Sequence, residues 1–167
     1  MKNHQSLGNV RIGAAMAVLA LTTATTSAES SALFVNTTSG TIDCSDRDVN
    51  ITASNAELTL TGRCKGVYFV GSSTRATIES ATLLQVSVDD VQIDVKGAVD
   101  EAFVIGSRAV LAFDEVGQLN VNGDGARIEA ASISSLSVVG SRNSVRWASG
   151  SPTINDIGSG NTLQAKR

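Results

Sequence analysis

Residues 119–165 read LNVNGDGARIEAASISSLSVVGSRNSVRWASGSPTINDIGSGNTLQA. Within them LSVVGSRNSVRW (136–147) and INDIGSGNTLQA (154–165) superpose at a shift of 18. LNVNGDGARIEA (119–130) superposes on the first of these at a shift of 17. Anchoring each copy on its central glycine, or its equivalent, and stepping back along the chain gives Ala53, Gly71, Val88, Gly106, Gly123, Gly140 and Gly158. The spacings are 18, 17, 18, 17, 17 and 18. Seven copies of one motif thus fill nearly all of residues 49–167, and self-similarity at a fixed period is the mark of a repeat architecture.

The columns of this register decide the fold. Four places before the anchors stand Val49, Val67, Leu84, Ala102, Leu119, Leu136 and Ile154, and two places before stand Ile51, Phe69, Val86, Val104, Val121, Val138 and Asp156. Five places after stand Leu58, Ala76, Ile93, Leu111, Ile128, Val145 and Leu163; seven places after stand Leu60, Ile78, Val95, Phe113, Ala130, Trp147 and Ala165. Only Asp156 breaks the apolar pattern. Each repeat therefore holds two short period-2 strands around a turn. One such unit cannot bury its own apolar side, but neighbouring coils stacked in register supply the core. The expectation is an all-β, right-handed parallel β-solenoid (β-helix) of about seven coils with 17–18 residues per coil. An ordinary β-sandwich with accidental periodicity is the competing architecture.

Composition agrees. At roughly 150 residues per domain, a chain of 167 residues makes one domain. Aromatics at 4 %, 15 Gly and a single Pro suit thin strands and tight turns better than a helical bundle. The net charge of −3 leaves no basic surplus to neutralise phosphates, which argues against nucleic acid as a partner. With 42 % apolar residues the chain can bury a core, which argues against disorder.

The N-terminus reads as a targeting segment. Lys2 and Arg11 are followed by the apolar run IGAAMAVLAL (12–21) and then TTATTSA, with Thr26 and Ala28 at −3 and −1 before Glu29. This is the pattern of a secretory signal peptide over residues 1–28, and its apolar run falls well short of the roughly 20 residues that span a bilayer. Its removal takes Lys2 and Arg11 from 13 basic residues, leaving 11 against 16 acidic ones, a formal −5. It also takes His4, the single histidine, and with it every His-based triad, base or metal site. Export to a secreted or periplasmic location places Cys44 and Cys64 in an oxidising compartment, where a disulfide is expected. Residues 29–48 are expected to close the N-terminal end of a repeat domain spanning 49–167.

The turn column carries the candidate site. Directly after the anchors stand Ser54, Ser72, Asp89, Ser107, Asp124, Ser141 and Ser159, all Ser or Asp. Their oxygens can cap nearby backbone N–H groups after a glycine with positive φ. The alternative is a ladder of oxygens binding cations or sugar hydroxyls, for which Ser72, Asp89, Ser107, Asp124 and Ser141 are the candidate binding residues. Asn143 and Asn161, three places after their anchors, can start a short asparagine ladder, since Ala56, Thr74, Val91, Ala109 and Ala126 occupy the earlier positions.

Other constellations are weaker. The acidic pairs Asp89 with Asp90, Asp100 with Glu101 and Asp114 with Glu115 fall at different register positions, so they share no column and make no evident acid/base pair. Asn122-Gly123-Asp124-Gly125 lacks the nonapeptide spacing of calcium-binding β-rolls. The outward positions Thr59, Thr77, Asp94, Ala112, Glu129, Arg146 and Gln164 do not form the regular threonine array of an ice-binding face. Arg108, Arg127, Arg142 and Arg146 gather in the C-terminal half.

The segment VVGSRNSVRWASGSPTINDIGSGNTLQ resembles an exported bacterial family known as a domain of unknown function (family 3060). That family shows repeated V-x-G-x-x-N-x-V units, here Val138 to Val145. It also shows a W-x-x-G-x-P step, here Trp147, Gly150 and Pro152, and a closing G-x-G-N-T, here Gly158 to Thr162. The likeness is close over roughly the last 30 residues and looser upstream, where Ala53, Val88, Ala109 and Ala126 replace the Gly and Asn positions. The resemblance implies export and a β-solenoid, and brings no catalytic residues.

The functional expectation is an exported, non-catalytic interaction or structural module at the cell envelope or outside the cell, without cofactor or metal. Its expected partners are an envelope polysaccharide or protein, with self-association through the C-terminal coil, and neither nucleic acid nor a transmembrane span is expected. The alternative is a carbohydrate-active or polysaccharide-binding protein using turn acids around Asp89, Asp90 and Asp114.

Overall fold

The structure, a computed structural model, describes residues 31–166; the signal peptide expected over 1–28 lies outside the described residues. The strands are β1 (Leu33–Val35), β2 (Ser39–Asp43), β3 (Asp48–Ile51), β4 (Glu57–Phe69), β5 (Arg75–Val86), β6 (Gln92–Ile105), β7 (Val110–Asn122), β8 (Arg127–Ser141), β9 (Ser144–Ser149), β10 (Thr153–Ser159) and β11 (Thr162–Ala165). No described residue is helical. All pair in parallel, in the order β1-β3-β4-β5-β6-β7-β8-β9-β11, with β2 on β4 and β10 on β8. The chain is a parallel β-solenoid of about eight turns. Part of the extra turn comes from the segment expected to close the N-terminal end. There Leu33 pairs with Val49 and Thr41 with Thr59, in the same register as the repeats.

The expected columns are the core. From Val49 to Leu136 and from Ile51 to Val138 the positions before the anchors are buried, as are those after the anchors from Leu58 to Val145 and from Leu60 to Trp147. In the last turn no described strand covers them, and Ile154 is 44 % exposed. The two short strands expected around each turn are joined differently. The second strand of one repeat runs directly into the first of the next, so β4 to β8 are single strands of 12 to 15 residues. They bend where the pairing register slips, between Leu60 and Arg63, Ile78 and Ala81, and Val95 and Ala98. At the bend a further interior column forms, with Cys64, Ala81, Val99, Val116 and Ile133 all buried. The bend breaks the strand in the N-terminal turn, between Asp43 and Asp48, and again after β9 at Gly150-Ser151-Pro152, where proline has no N–H to give the ladder.

Cys44 and Cys64 form the disulfide, with Cα atoms 4.9 Å apart. Both are fully buried, so the bridge ties the turn containing β2 to the next one from inside.

Candidate functional site

The turn column, open on sequence to backbone capping or to ligands, is a corner that binds itself. The left-handed residue of each corner is two places after the anchor: Asn55, Ser73, Asp90, Arg108, Gly125, Arg142 and Gly160 have φ between 55° and 68°. Of the anchors, Gly106 and Gly140 also take positive φ, 150° and 128°, whereas Gly71, Gly123 and Gly158 do not. The anchor glycines answer a further demand, close approach. A Cβ on Gly71 would lie 2.0 Å from the Ala53 carbonyl oxygen, and one on Gly123 would lie 1.9 Å from that of Gly106. Stacked corners leave no room for a side chain there.

The Ser/Asp residues sit between these two constraints. The N–H of each left-handed residue from Asn55 to Arg142 donates to the turn-column carbonyl one coil on, as from Arg108 to Asp124 at 3.0 Å and from Arg142 to Ser159 at 3.0 Å. The acids add side-chain caps: Asp89 Oδ1 accepts from the Ser107 N–H at 2.6 Å, and Asp124 Oδ1 from the Ser141 N–H at 2.7 Å. Ser141 and Ser159 hydroxyls lie 3.3 Å apart. Exposed Ser72 shares the column, so Ser72, Asp89, Ser107, Asp124 and Ser141 line one edge. The two carboxylates in it are already used to hold successive coils together.

Inside the same corner the asparagine ladder is real and short. Buried Asn143 accepts from the Ala126 N–H at 2.9 Å and donates to the Gly123 carbonyl at 2.8 Å. Asn161 repeats this one turn on, accepting from the Asn143 N–H at 2.9 Å and donating to the Gly140 carbonyl at 3.1 Å. Buried Thr74 does related work, its hydroxyl donating to the Ala53 carbonyl at 3.1 Å.

The acids weighed for acid/base work are dispersed. Asp90 receives two bonds from the Arg108 guanidinium, each 2.7 Å long. That hydrogen bonding, assisted by the guanidinium charge, holds its carboxyl below the ordinary carboxylate value. Asp100 pairs with Arg63 at 2.8 Å. Asp114 is exposed in β7, eight places after its anchor and away from the corner sequence. The four arginines separate as well. Arg108 and Arg142 lie in the corner, whereas Arg127 and Arg146 flank Glu129 on the strand face beside it, where Lys166 also reaches Glu129 at 2.8 Å. That face is charged and shallowly dented: one recess of about 400 Å³ is lined by Asn55, Glu57, Arg75, Asp90, Gln92 and Arg108.

The second halves of the strands present a different surface. The outward position three places before each anchor forms an in-register column: Phe34 pairs with Asn50, Asn50 with Tyr68, Tyr68 with Gln85, Gln85 with Phe103, and Phe103 with Asn120. Ser137 and Asn155 continue it. Aromatic and amide side chains alternate strictly over six coils. Six aromatic residues occur in the sequence; Phe69, Phe113 and Trp147 are in the core, and the other three are all in this column. The Asn120 side-chain nitrogen is buried with no hydrogen-bond partner among the described residues.

The outward column next to it keeps the same beat. Thr52, Val70, Ser87, Ile105, Asn122, Val139 and Ile157 stand one place before the anchors. Val70 therefore neighbours Tyr68 and Ile105 neighbours Phe103, while hydroxyls accompany the amides at Asn50 and Gln85. The Gln85 amide donates to the Ser87 hydroxyl at 3.0 Å. No charged residue occurs in either column. Of the large apolar side chains left exposed among the described residues, Phe34, Val70, Ile105, Val139 and Ile157 all lie here; the others are Val110 and Ile154. The sequence register already contained this pattern from Asn50 onward, but only attention to the outward positions reveals it, and Phe34 joins only through the additional N-terminal turn.

Residues 104–160, from the end of β6 through β10, match a family described as a protein of unknown function (DUF3060). No curated protein and no solved structure matches the chain. Among the described residues no helix is long and apolar enough to cross a membrane.

Proposed function

We propose that this β-solenoid is a secreted or periplasmic, non-catalytic interaction module whose partner at or beyond the cell envelope seats on one long face. The observation that carries the reading is the gathering of exposed apolar side chains, Phe34, Val70, Ile105, Val139 and Ile157, onto two uncharged columns of one face. Exposed apolar groups collected in a patch mark an interaction surface, whereas the same groups scattered singly need no explanation. Export is supported by the signal-peptide pattern of residues 1–28 and by the buried Cys44–Cys64 disulfide.

Non-catalytic action fits the acids. Asp89 and Asp124 cap backbone N–H groups, and Asp90 is engaged by Arg108. The test is co-sedimentation of the exported protein with isolated cell envelopes. Saturable retention that falls in a Val70→Ser, Ile105→Ser variant, and persists in Asp89→Ala with Asp124→Ala, is expected. Retention that ignores the first variant, or release of soluble sugar from the envelopes, would overturn the reading.

A further inference from the structure

We infer that the aromatic–amide column binds an extended, neutral β-1,4-linked polysaccharide lying along the solenoid axis; this rests on the interaction face just proposed and names its ligand class. Three features of the column point to such a polymer. The first is its period. Coils stack at a rung spacing of about 4.8 Å, so rings on every second coil stand roughly 10 Å apart, and Phe34, Tyr68 and Phe103 are each separated by one amide-bearing coil. A β-1,4-linked chain is a flat ribbon in which successive sugars are flipped, so its faces and edges also repeat every second sugar. A periodic surface is matched by a periodic polymer. A folded protein without internal repeats of its own offers no comparable axial period.

The second feature is the chemistry of the alternation. Aromatic rings present broad apolar faces to the C–H faces of pyranose rings. Carboxamides both donate and accept, as sugar hydroxyls do, and they occupy the coils between the rings. The adjacent column repeats this distinction, with Val70 and Ile105 on aromatic coils and Ser87 on the amide coil between them. The third feature is charge. The chain is 17 % charged, yet neither column holds a charged residue, which matches an uncharged ligand and disfavours acidic glycans or phosphate-bearing ones. Packing does not demand this arrangement, because outward side chains play no part in filling the core. Like-on-like stacking of the rings would gain aromatic contacts that alternation forgoes.

The experiment is calorimetric titration of the exported protein with cellohexaose and chitohexaose, together with retention on microcrystalline cellulose and chitin. Saturable binding to at least one of these is expected, with disaccharides much weaker because they cannot reach two rings. Tyr68→Ala with Phe103→Ala should weaken binding about a hundredfold, at roughly tenfold per ring for an anchoring side chain, while Arg127→Ala on the charged face leaves it unchanged. The swap Gln85→Phe with Phe103→Gln keeps composition and outward placement but takes the third ring out of the two-coil spacing, leaving only Phe34 and Tyr68 in it. It should weaken binding about tenfold with an unchanged circular dichroism spectrum. Binding undiminished by the alanine pair or by the swap overturns the inference, as does absence of binding to every probe. If the probes fail while envelope retention still depends on Tyr68 and Phe103, the polysaccharide assignment falls and the interaction face stands. If envelope retention is also indifferent to these residues, both fall.

Discussion

Replacing Gly123 by alanine should damage the solenoid far more than replacing Gly125, two residues away. A Cβ at Gly123 would sit 1.9 Å from the Gly106 carbonyl oxygen, where real Cβ contacts essentially never come under 3.0 Å. The two corners must therefore separate by more than 1 Å. That movement acts on the two bonds that join these corners, Gly106 N–H to Asn122 C=O at 3.3 Å and Arg108 N–H to Asp124 C=O at 3.0 Å. A backbone group left without a partner costs about 1–3 kcal/mol, so losing two bonds implies a loss of roughly 2–6 kcal/mol. Set against the ~5–15 kcal/mol typical of a folded domain, this is severe.

Gly125 supplies the contrast. It has φ +68°, yet nothing lies within 4 Å of the position its Cβ would take. Alanine there meets only the left-handed conformation, about 1–2 kcal/mol, which Asp90, Arg108 and Arg142 already tolerate at the equivalent positions. Urea denaturation followed by far-ultraviolet circular dichroism separates the two. With an m-value near ~2 kcal/mol/M, Gly123→Ala should lower the midpoint by roughly 1–3 M and Gly125→Ala by less than about 1 M. Equal midpoints for the two variants would refute the claim that the anchor glycines exist for close approach.

Further outcomes follow from the same contacts. Asn143→Ala strips the Ala126 N–H and the Gly123 carbonyl of their buried partner and should cost roughly 2–4 kcal/mol in urea unfolding, with half-buried Asn161→Ala costing less; equal, negligible losses would remove the ladder from the stability argument. Reducing the Cys44–Cys64 bridge, whose cysteines are 20 residues apart, should lower stability by about 3 kcal/mol, and an unchanged denaturation midpoint with reductant would contradict this. Asp90, held below its ordinary value by Arg108, favours the folded state above its unfolded-state pKa, and that contribution disappears as pH falls through the folded-state value. Carboxyl-resolved NMR should show its midpoint rising in Arg108→Ala; an unmoved midpoint would deny the coupling.

The apolar columns made the solenoid legible because inward positions are under one constraint, to be apolar and of suitable size wherever coils stack. From Val49 to Val145 every repeat obeys it, so the register can be taken from the sequence alone. The fusion of two short strands into β4 to β8 was less legible. The bend is set by register slips near Leu60, Ile78 and Val95; Gly62 and Gly97 lie in two of them and Glu79-Ser80 in the third, so no common residue marks the position in sequence. Phe34 and Thr41 joined the stack without an anchor glycine to announce their turn. The turn column was readable as a pattern of Ser and Asp but not as to purpose. Whether a carboxylate faces a ligand or caps the next coil depends on where that coil's N–H points, and spacing does not carry that information.

Regularity therefore means different things in different columns of this molecule. A repeated valine inside the coil is what packing requires, and a repeated glycine or Ser/Asp at the corner is what close approach and backbone hydrogen bonding require. Outward strand positions answer to neither demand, since their side chains fill no core and cap no corner. A regular order there has no cause within the coil itself. The charged face shows what such positions look like when no order is imposed: Glu57, Arg75, Gln92, Val110 and Arg127 follow one another along it in no pattern. The face beside it runs Phe34, Asn50, Tyr68, Gln85, Phe103, Asn120, with the adjacent column changing from apolar to hydroxyl-bearing in step from Thr52 to Ile105. The scaffold does not demand that two-coil period, and the proposed ligand, a polymer that itself repeats along the axis, would match it.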